Sequence, residues 1–272
     1  MKSIYPRALL VATGAAWFSS APLGAAGTDD RIESSAAKSY VFKTYLKHDA
    51  IKTESRRGAV TLIGTVAEPY HKSLAQDTVE SLPGVKSVDN QLKVEGEAPA
   101  EHSDTWVSQK VKTALAFHRN VSATTTDVTV RNGIVTLSGE ASSLAQRELT
   151  AEYAGDVEGV KAVKNEMTVA KTPVKPDETL GEQIDDASIT AQVRQTLRLH
   201  RSTSAVKAKV ETTDGVVTLS GVTKNAAEKS VVTKLAADIN GVKSVVNNMS
   251  PQAAGPKGSS PMPPQHLRIV SK

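Results

Sequence analysis

The chain has 272 residues, 39% apolar and 23% charged, with only three Phe, five Tyr and two Trp, so any core must be built from Val, Leu, Ile and Ala. It has no cysteine, which excludes disulfides, thiolate metal sites and cysteine nucleophiles together. The formal net charge of +4 falls to +2 if Lys2 and Arg7 leave with a cleaved leader, and so modest an excess excludes the strongly basic footprint of a nucleic-acid binder.

Residues 1–26 read as a secretory signal peptide. Lys2 and Arg7 form a positive start, Ala8–Phe18 is a short apolar run, and Gly24-Ala25-Ala26 gives a small-x-small cleavage pattern near Ala26. The run is shorter than the ~20 apolar residues of a membrane span. No Cys follows it to take a lipid anchor, so the mature chain is expected to be exported and soluble.

The remainder repeats. GAVTLIGTV at 58–66 recurs as GIVTLSGEA at 133–141 and GVVTLSGVT at 215–223. A second motif, LPGVKSVDNQL at 82–92, recurs as VEGVKAVKNEM at 157–167 and INGVKSVVNNM at 239–249. The first glycine lies 26 residues before the second in every copy: Gly58 and Gly84, Gly133 and Gly159, Gly215 and Gly241. The copies themselves sit 75 and 82 residues apart. Constant internal spacing with variable separation predicts three linked modules rather than a stacked solenoid. Their expected bounds are 30–94, 104–169 and 184–249, with linkers at 95–103 and 170–183. The tail 250–272, with five prolines and no periodic apolar pattern, reads as disordered.

Within a module, the first element is an amphipathic helix. Val107, Val111 and Leu115 follow Ser103-Asp104; Ile189, Val193 and Leu197 follow Asp185-Asp186; Ser and Asp are good N-caps. In module 1 the helix is expected at roughly 32–47. An alternating strand comes next, AIKTES, DVTVRN or KAKVET. A tight turn follows on Asn132-Gly133 or Asp214-Gly215, dipeptides suited to two-residue hairpins. The glycine-bracketed strand then ends at Gly64, Gly139 or Gly221, where close backbone approach is expected. A second helix has stripes Ala145, Leu149, Tyr153, Val157 and Ala227, Val231, Leu235, Ile239, and ends at Gly159 or Gly241. A last strand closes the module. The reading is an α+β fold: three tandem small modules, each helix-strand-strand-helix-strand, with a three-stranded sheet covered on one face by two helices. Module 1 is about five residues shorter between its helix and hairpin glycine, so its first strand is the least regular.

This order, with GxVxLxG and GVxxVxN in all three copies, resembles the BON domain (bacterial OsmY and nodulation). The resemblance implies a periplasmic protein of the OsmY type, associated with osmotic and envelope stress and with phospholipid surfaces, and in some members with assisting other envelope proteins. A third copy departs from the usual two.

No catalytic constellation is visible: no HExxH, no P-loop, no Cys cluster. Ser138 and Ser220 lie in LSG, but Ile63 replaces them in module 1. The chain therefore reads as non-enzymatic, without cofactor, metal or small-molecule substrate. His118 and His200 occupy equivalent places late in their helices, each followed by Arg; they read as helix-end partners for free carbonyls, with a metal pair across modules as the alternative. Asn90, Asn165 and Asn247 recur and are expected to tie down the last strand.

Charge on the first helices supplies the candidate binding residues. Arg194, Arg198 and Arg201 fall on one face beside the apolar stripe; Lys110, Lys112 and Arg119 are the module 2 counterparts. The plain expectation is a solvated face; the functional one is contact with anionic phospholipid. Three basic residues at about 1 kcal/mol each supply about 3 kcal/mol, roughly a hundredfold, and three flexibly linked modules would add avidity. The alternative partner is unfolded envelope protein, held by exposed apolar strands in an ATP-independent chaperone or adaptor. No nucleic-acid partner is expected.

Overall fold

The computed structural model describes residues 23–97, 99–170 and 184–252. The leader up to residue 22, the linker 171–183 and the tail from 253 lie outside the described residues, and with them nearly all of the signal-peptide and disordered-tail readings.

Module 1 contains α1 (Leu23–Lys38), α2 (Tyr40–Thr44), β1 (Ala50–Arg56), β2 (Ala59–Val66), α3 (Pro69–Glu80), β3 (Ser87–Asn90) and β4 (Lys93–Val94). Module 2 contains α4 (Asp104–Phe117), a 3-10 turn at Ala123–Thr125, β5 (Thr126–Arg131), β6 (Ile134–Ala141), α5 (Leu144–Asp156), β7 (Ala162–Asn165) and β8 (Thr168–Val169). Module 3 contains α6 (Asp186–Leu199), β9 (Lys207–Thr213), β10 (Val216–Thr223), α7 (Ala226–Ala237), β11 (Ser244–Asn247) and β12 (Ser250–Pro251).

The expected α+β architecture is present in each module. The repeated strand is central: β2, β6 and β10 pair antiparallel with the preceding strand and parallel with the strand after the second helix. A helical crossover delivers a strand parallel to its predecessor, whereas a two-residue turn delivers an antiparallel one. The buried side of the central strand is Val60 and Leu62, Val135 and Leu137, Val217 and Leu219. Val107, Val111 and Leu115 and Ile189, Val193 and Leu197 are buried as the stripes predict.

Three details differ from expectation. The last strand is not continuous. β3 and β4 both pair with β2, and the same break recurs between β7 and β8 and between β11 and β12. At each break the recurring Asn spans the gap: Asn165 Nδ2 donates to the Arg147 carbonyl of α5 (2.7 Å) and its Oδ1 accepts from the Met167 amide (3.2 Å). This lets Leu92, Met167 and Met249 turn into the core. The piece after the break carries module 3 on to Pro251, past the expected end at 249.

The second-helix stripes hold toward their C-terminal ends, where Val157, Leu235 and Ile239 are buried, but not at their starts. Thr150 and Ala154 are buried in α5, and Val232, Leu235 and Ala236 in α7, while Ala145 and Ala227 are exposed. Third, the first helix of module 1 begins early and breaks at Ser39, whose hydroxyl donates to the Ala36 carbonyl and accepts from the Phe42 amide.

The hairpins show how the modules close. Arg57-Gly58, Asn132-Gly133 and Asp214-Gly215 all have positive φ at both central residues, the type I′ geometry that matches strand twist. One carboxylate holds each turn. Asp29 accepts from the Ser55 hydroxyl and the Arg57 and Gly58 amides; Asp104 from the Asn132 and Gly133 amides (2.7 and 2.8 Å); Asp186 from the Asp214 and Gly215 amides (both 2.8 Å). The Ser55 hydroxyl and then the two amides hold Asp29 below the usual carboxylate value of 3.8, and the Gly133 and Asn132 amides do the same for Asp104. A depressed folded pKa stabilises fully above the unfolded value, and that contribution is lost as pH falls through the folded value. The hairpins of modules 1 and 2 are therefore expected to loosen below about pH 4, read by amide exchange at Asn132 and Gly133. Asp104→Asn removes that acid dependence in module 2.

Candidate functional site

The modules are not independent beads. α6 is buried on nearly every side, including its polar residues Ser188, Thr190, Gln192, Gln195 and Thr196. A polar helix buried all round must place its polar groups against partners; Thr190 finds Thr212 in its own module, whereas Ser188, Gln192 and Gln195 reach module 1.

Against module 1, α6 packs on α3. Asp77, 4% exposed, accepts from Arg198 Nη1 (2.6 Å) and Nη2 (2.9 Å) and from Gln195 Nε2 (2.9 Å). The fork geometry is that of a charge-assisted bidentate pair, and the Asp77 carboxylate raises the pKa of the Arg198 guanidinium further. Arg194 Nη1 lies 3.6 Å from Glu80 and 3.9 Å from Asp77. The break after α1 serves the same contact: the freed Tyr40 and Val41 amides donate to Asp185 Oδ2 (2.8 Å) and Ser188 Oγ (3.0 Å). Tyr45 touches all three modules. Its hydroxyl donates to the Ala116 carbonyl (3.1 Å) and lies 3.4 Å from Gln192, and its ring meets Phe117 edge-on at 5.1 Å. Burial pushes the Tyr45 phenol well above its usual range.

Modules 2 and 3 meet across a local two-fold axis, because equivalent residues 82 positions apart contact each other's partners reciprocally. Arg119 Nη2 donates to the carbonyls of Ala237, Ile239 and Val242 (2.6, 2.8 and 2.6 Å). Arg201 donates to those of Gly155 and Val160 (2.8 and 3.4 Å). The Arg119 amide bonds the Asp238 carbonyl, and the Arg201 amide that of Asp156 (2.9 and 2.6 Å). Between them His118 and His200 face one another, Nε2 to Nε2 at 3.2 Å.

The predicted lipid-binding residues are thus redistributed. Arg194 and Arg198 pair with module 1, and Arg201 and Arg119 cap helix ends across the two-fold. Lys110 sits 2.8 Å from Glu158 and 3.8 Å from the Trp106 ring centre. Lys112 is exposed. They do not form a shared basic stripe, since four of the six cations engage groups on neighbouring modules. The histidines also differ from expectation: the carbonyl-capping role falls to the arginines that follow them. Among the described residues no group of three or more His, Cys, Asp or Glu is placed to hold a metal.

The recurring glycines take structural roles. Gly64, Gly139 and Gly221 have φ of +132°, +113° and +133° and lie against the carbonyl at the start of the partner strand, that of Ala50, of Thr125 just before β5, and of Lys207. Gly58, Gly133 and Gly215 make the hairpin turns, whereas Gly84, Gly159 and Gly241 do not cap the second helices, which end at Glu80, Asp156 and Ala237; they take positive φ in the turn that leads on to the next strand.

What the docking leaves open is a cleft of about 240 Å³ where all three modules meet, walled by Tyr70, Trp106 and Leu199 and bordered by Lys110 and Arg198. No carboxylate lines it. Burial raises the Tyr70 phenol to about 12. Sequence reasoning picked out Lys110 and Arg198 by charge, but not Tyr70 or Trp106.

The sequence matches the BON domain over residues 28–96, 103–171 and 185–252. The chain belongs to the BON domain family. Its BON modules are 34% identical over 193 residues to the osmotically-inducible protein Y of Escherichia coli, covering 70% of this chain and 92% of that one. The outer membrane lipoprotein DolP of Haemophilus influenzae is 29% identical over 144 residues, 50% of this chain and 74% of that one. The 21 kDa hemolysin of Actinobacillus pleuropneumoniae is 30% identical over 139 residues, 50% and 71% respectively. Among the described residues no helix is long and apolar enough to cross a membrane.

Proposed function

We propose that this three-BON chain is a non-enzymatic periplasmic protein of osmotic and envelope stress that docks on anionic phospholipid through the cleft between its modules. The carrying observation is that cleft: Trp106 and Tyr70 beside Lys110 and Arg198, with no acid in the lining; the partners of the two cations, Glu158 and Asp77, stand outside it, so an anionic headgroup joins or exchanges with those pairs. Trp and Tyr suit the boundary between headgroup and acyl chain, and each cation near an anionic surface contributes about 1 kcal/mol. The relatives, one named as osmotically inducible and one as an outer membrane lipoprotein, support the envelope setting. Because the modules dock on one another, binding through this cleft is that of one body rather than of three flexibly tethered modules.

Co-sedimentation of residues 27–272 with phosphatidylglycerol and phosphatidylcholine vesicles tests this. Binding is expected to the anionic vesicles alone and to weaken with salt, with a shift in Trp106 emission. Reversing one cation changes the surface interaction by about 2 kcal/mol, so Lys110→Glu is expected to weaken it by more than tenfold. Equal binding to both vesicles, unaffected by salt, overturns the reading.

A second reading has its own observation. On the open sheet face of module 3, Val222 and Val246 are 57% and 45% exposed, surface suited to an unfolded client in a chaperone or adaptor. Suppressed aggregation of an unfolded outer-membrane protein, lost in Val222→Glu and without vesicle binding, would favour it.

A further inference from the structure

We propose that the joint between modules 2 and 3 is a proton-controlled latch: the facing His118 and His200 rings accommodate one shared proton and not two, so the joint opens on mild acidification.

The geometry fixes the protons. His118 Nδ1 lies 3.2 Å from Asp238 Oδ2, and His200 Nδ1 lies 3.2 Å from Asp156 Oδ2. An ionised carboxylate only accepts, so His200 Nδ1, hydrogen-bonded to Asp156, carries its proton; His118 Nδ1 lies as close to Asp238 without being in line for a hydrogen bond, and the attraction of that carboxylate favours the same tautomer. That leaves the two Nε2 atoms opposed at 3.2 Å, with the rings 2% and 0% exposed. One proton between them makes an N–H···N bond. Two protons would aim N–H at N–H and bury two imidazolium rings whose centres are 5.4 Å apart.

Every packed element supplies a group that faces this pair. Just past α4 and α6, Arg119 and Arg201 donate to carbonyls at the helix ends of the opposite module. α5 brings Asp156 and Tyr153; α7 ends at Asp238. Tyr153 stacks on His118 (3.8 Å between ring centres, 15° between planes) and donates to Asp238 Oδ2 (2.6 Å), while burial keeps its phenol neutral. Asn120 also donates to Asp238, and the Ser202 hydroxyl and amide donate to Asp156. Burial pushes the Asp156 carboxyl up, but His200 and Ser202 outweigh it and hold it below its usual value, so it stays ionised in the relevant range. Burial first, and then the facing His200, lower the His118 pKa against the pull of Asp238.

Linkage sets the sign. Free imidazoles protonate near 6.5, so separated modules bind two protons in mild acid and the closed joint binds one. Below about pH 6 the closed-to-open ratio then falls about tenfold per pH unit. Module 1 has Ser81 in the place of Asp156 and Asp238 and makes no such joint, which confines the response to modules 2 and 3.

The chain has no cysteine, so Ala162→Cys with Ser244→Cys, both at exposed strand positions, gives one spin-label pair across the joint. With chelator present, pulsed electron resonance is expected to show one narrow distance near pH 7.5, with a broad component growing below about pH 6. The double variant His118→Asn/His200→Asn is expected to lose that pH response, whether its joint is closed or open. Imidazole proton resonances give a readout independent of joint strength: while the distance stays narrow, the pair takes up one proton at most. Two imidazolium rings in a closed joint overturn the proposal. So does an unchanged pH response in the double variant, or a response that needs a metal ion.

Discussion

Asp77→Ala is expected to lower stability by about 2–3 kcal/mol and to release module 1 from module 3. Removing one partner of a buried ion pair costs ~3–5 kcal/mol because the other charge is stranded. The figure here is smaller because the Arg198 side chain is half-exposed (51%) and can turn to water. Gln195 cannot: it is 4% exposed, and its amide is left facing a void. Asp77→Asn keeps one acceptor and should cost about half as much. Urea unfolding measures both, and a loss for Asp77→Ala within about 0.5 kcal/mol, the size of an ordinary surface substitution, would show that the clamp contributes nothing.

Gly139→Ala is expected to cost roughly 3 kcal/mol or more and to unfold module 2. Gly139 has φ of +113°, and a Cβ would sit 2.1 Å from the Thr125 carbonyl oxygen, in backbone that cannot swing aside. Gly155 in the same module gives the opposite sign. It is helical, and its Cβ would meet only Val163 Cγ2 at 3.5 Å, so Gly155→Ala should stabilise by up to about 1 kcal/mol. Thermal melts of the two variants separate a backbone requirement from a general sensitivity to added volume.

Local chemistry was legible in the sequence because it repeats. Asn132-Gly133 and Asp214-Gly215 announced the hairpins, and the Val and Leu of GxVxLxG announced the buried strand. The hairpin-holding carboxylates were there to be found: Asp29, Asp104 and Asp186 each precede the turn glycine by 29 residues, but Asp104 and Asp186 read more simply as helix-start residues. The broken last strand left only the recurring Asn as its sign.

Contacts between modules were not legible. A basic row such as Arg194 and Arg198 has the same spacing whether it faces water, lipid or Asp77. One trace existed: modules 2 and 3 share His-Arg after the first helix and Asp three residues before the second-motif glycine, whereas module 1 has Ser81 there. Features kept by two copies and absent from the third mark a contact the third does not make. The functional consequence is that Arg119, Arg194, Arg198 and Arg201 hold the body together, and the cleft is what that assembly creates.

The cleft exists only when all three modules are docked, and the two-fold joint only when modules 2 and 3 are. The most direct measurement is the distance between spin labels at Ser87→Cys in module 1 and Ser244→Cys in module 3, both at exposed strand positions, in the mature chain near pH 7.5. One narrow distribution, broadened by Asp77→Ala, is the predicted result. A broad distribution in the unmodified clamp, unchanged by Asp77→Ala, would contradict it, and the modules would then act as separately tethered binders.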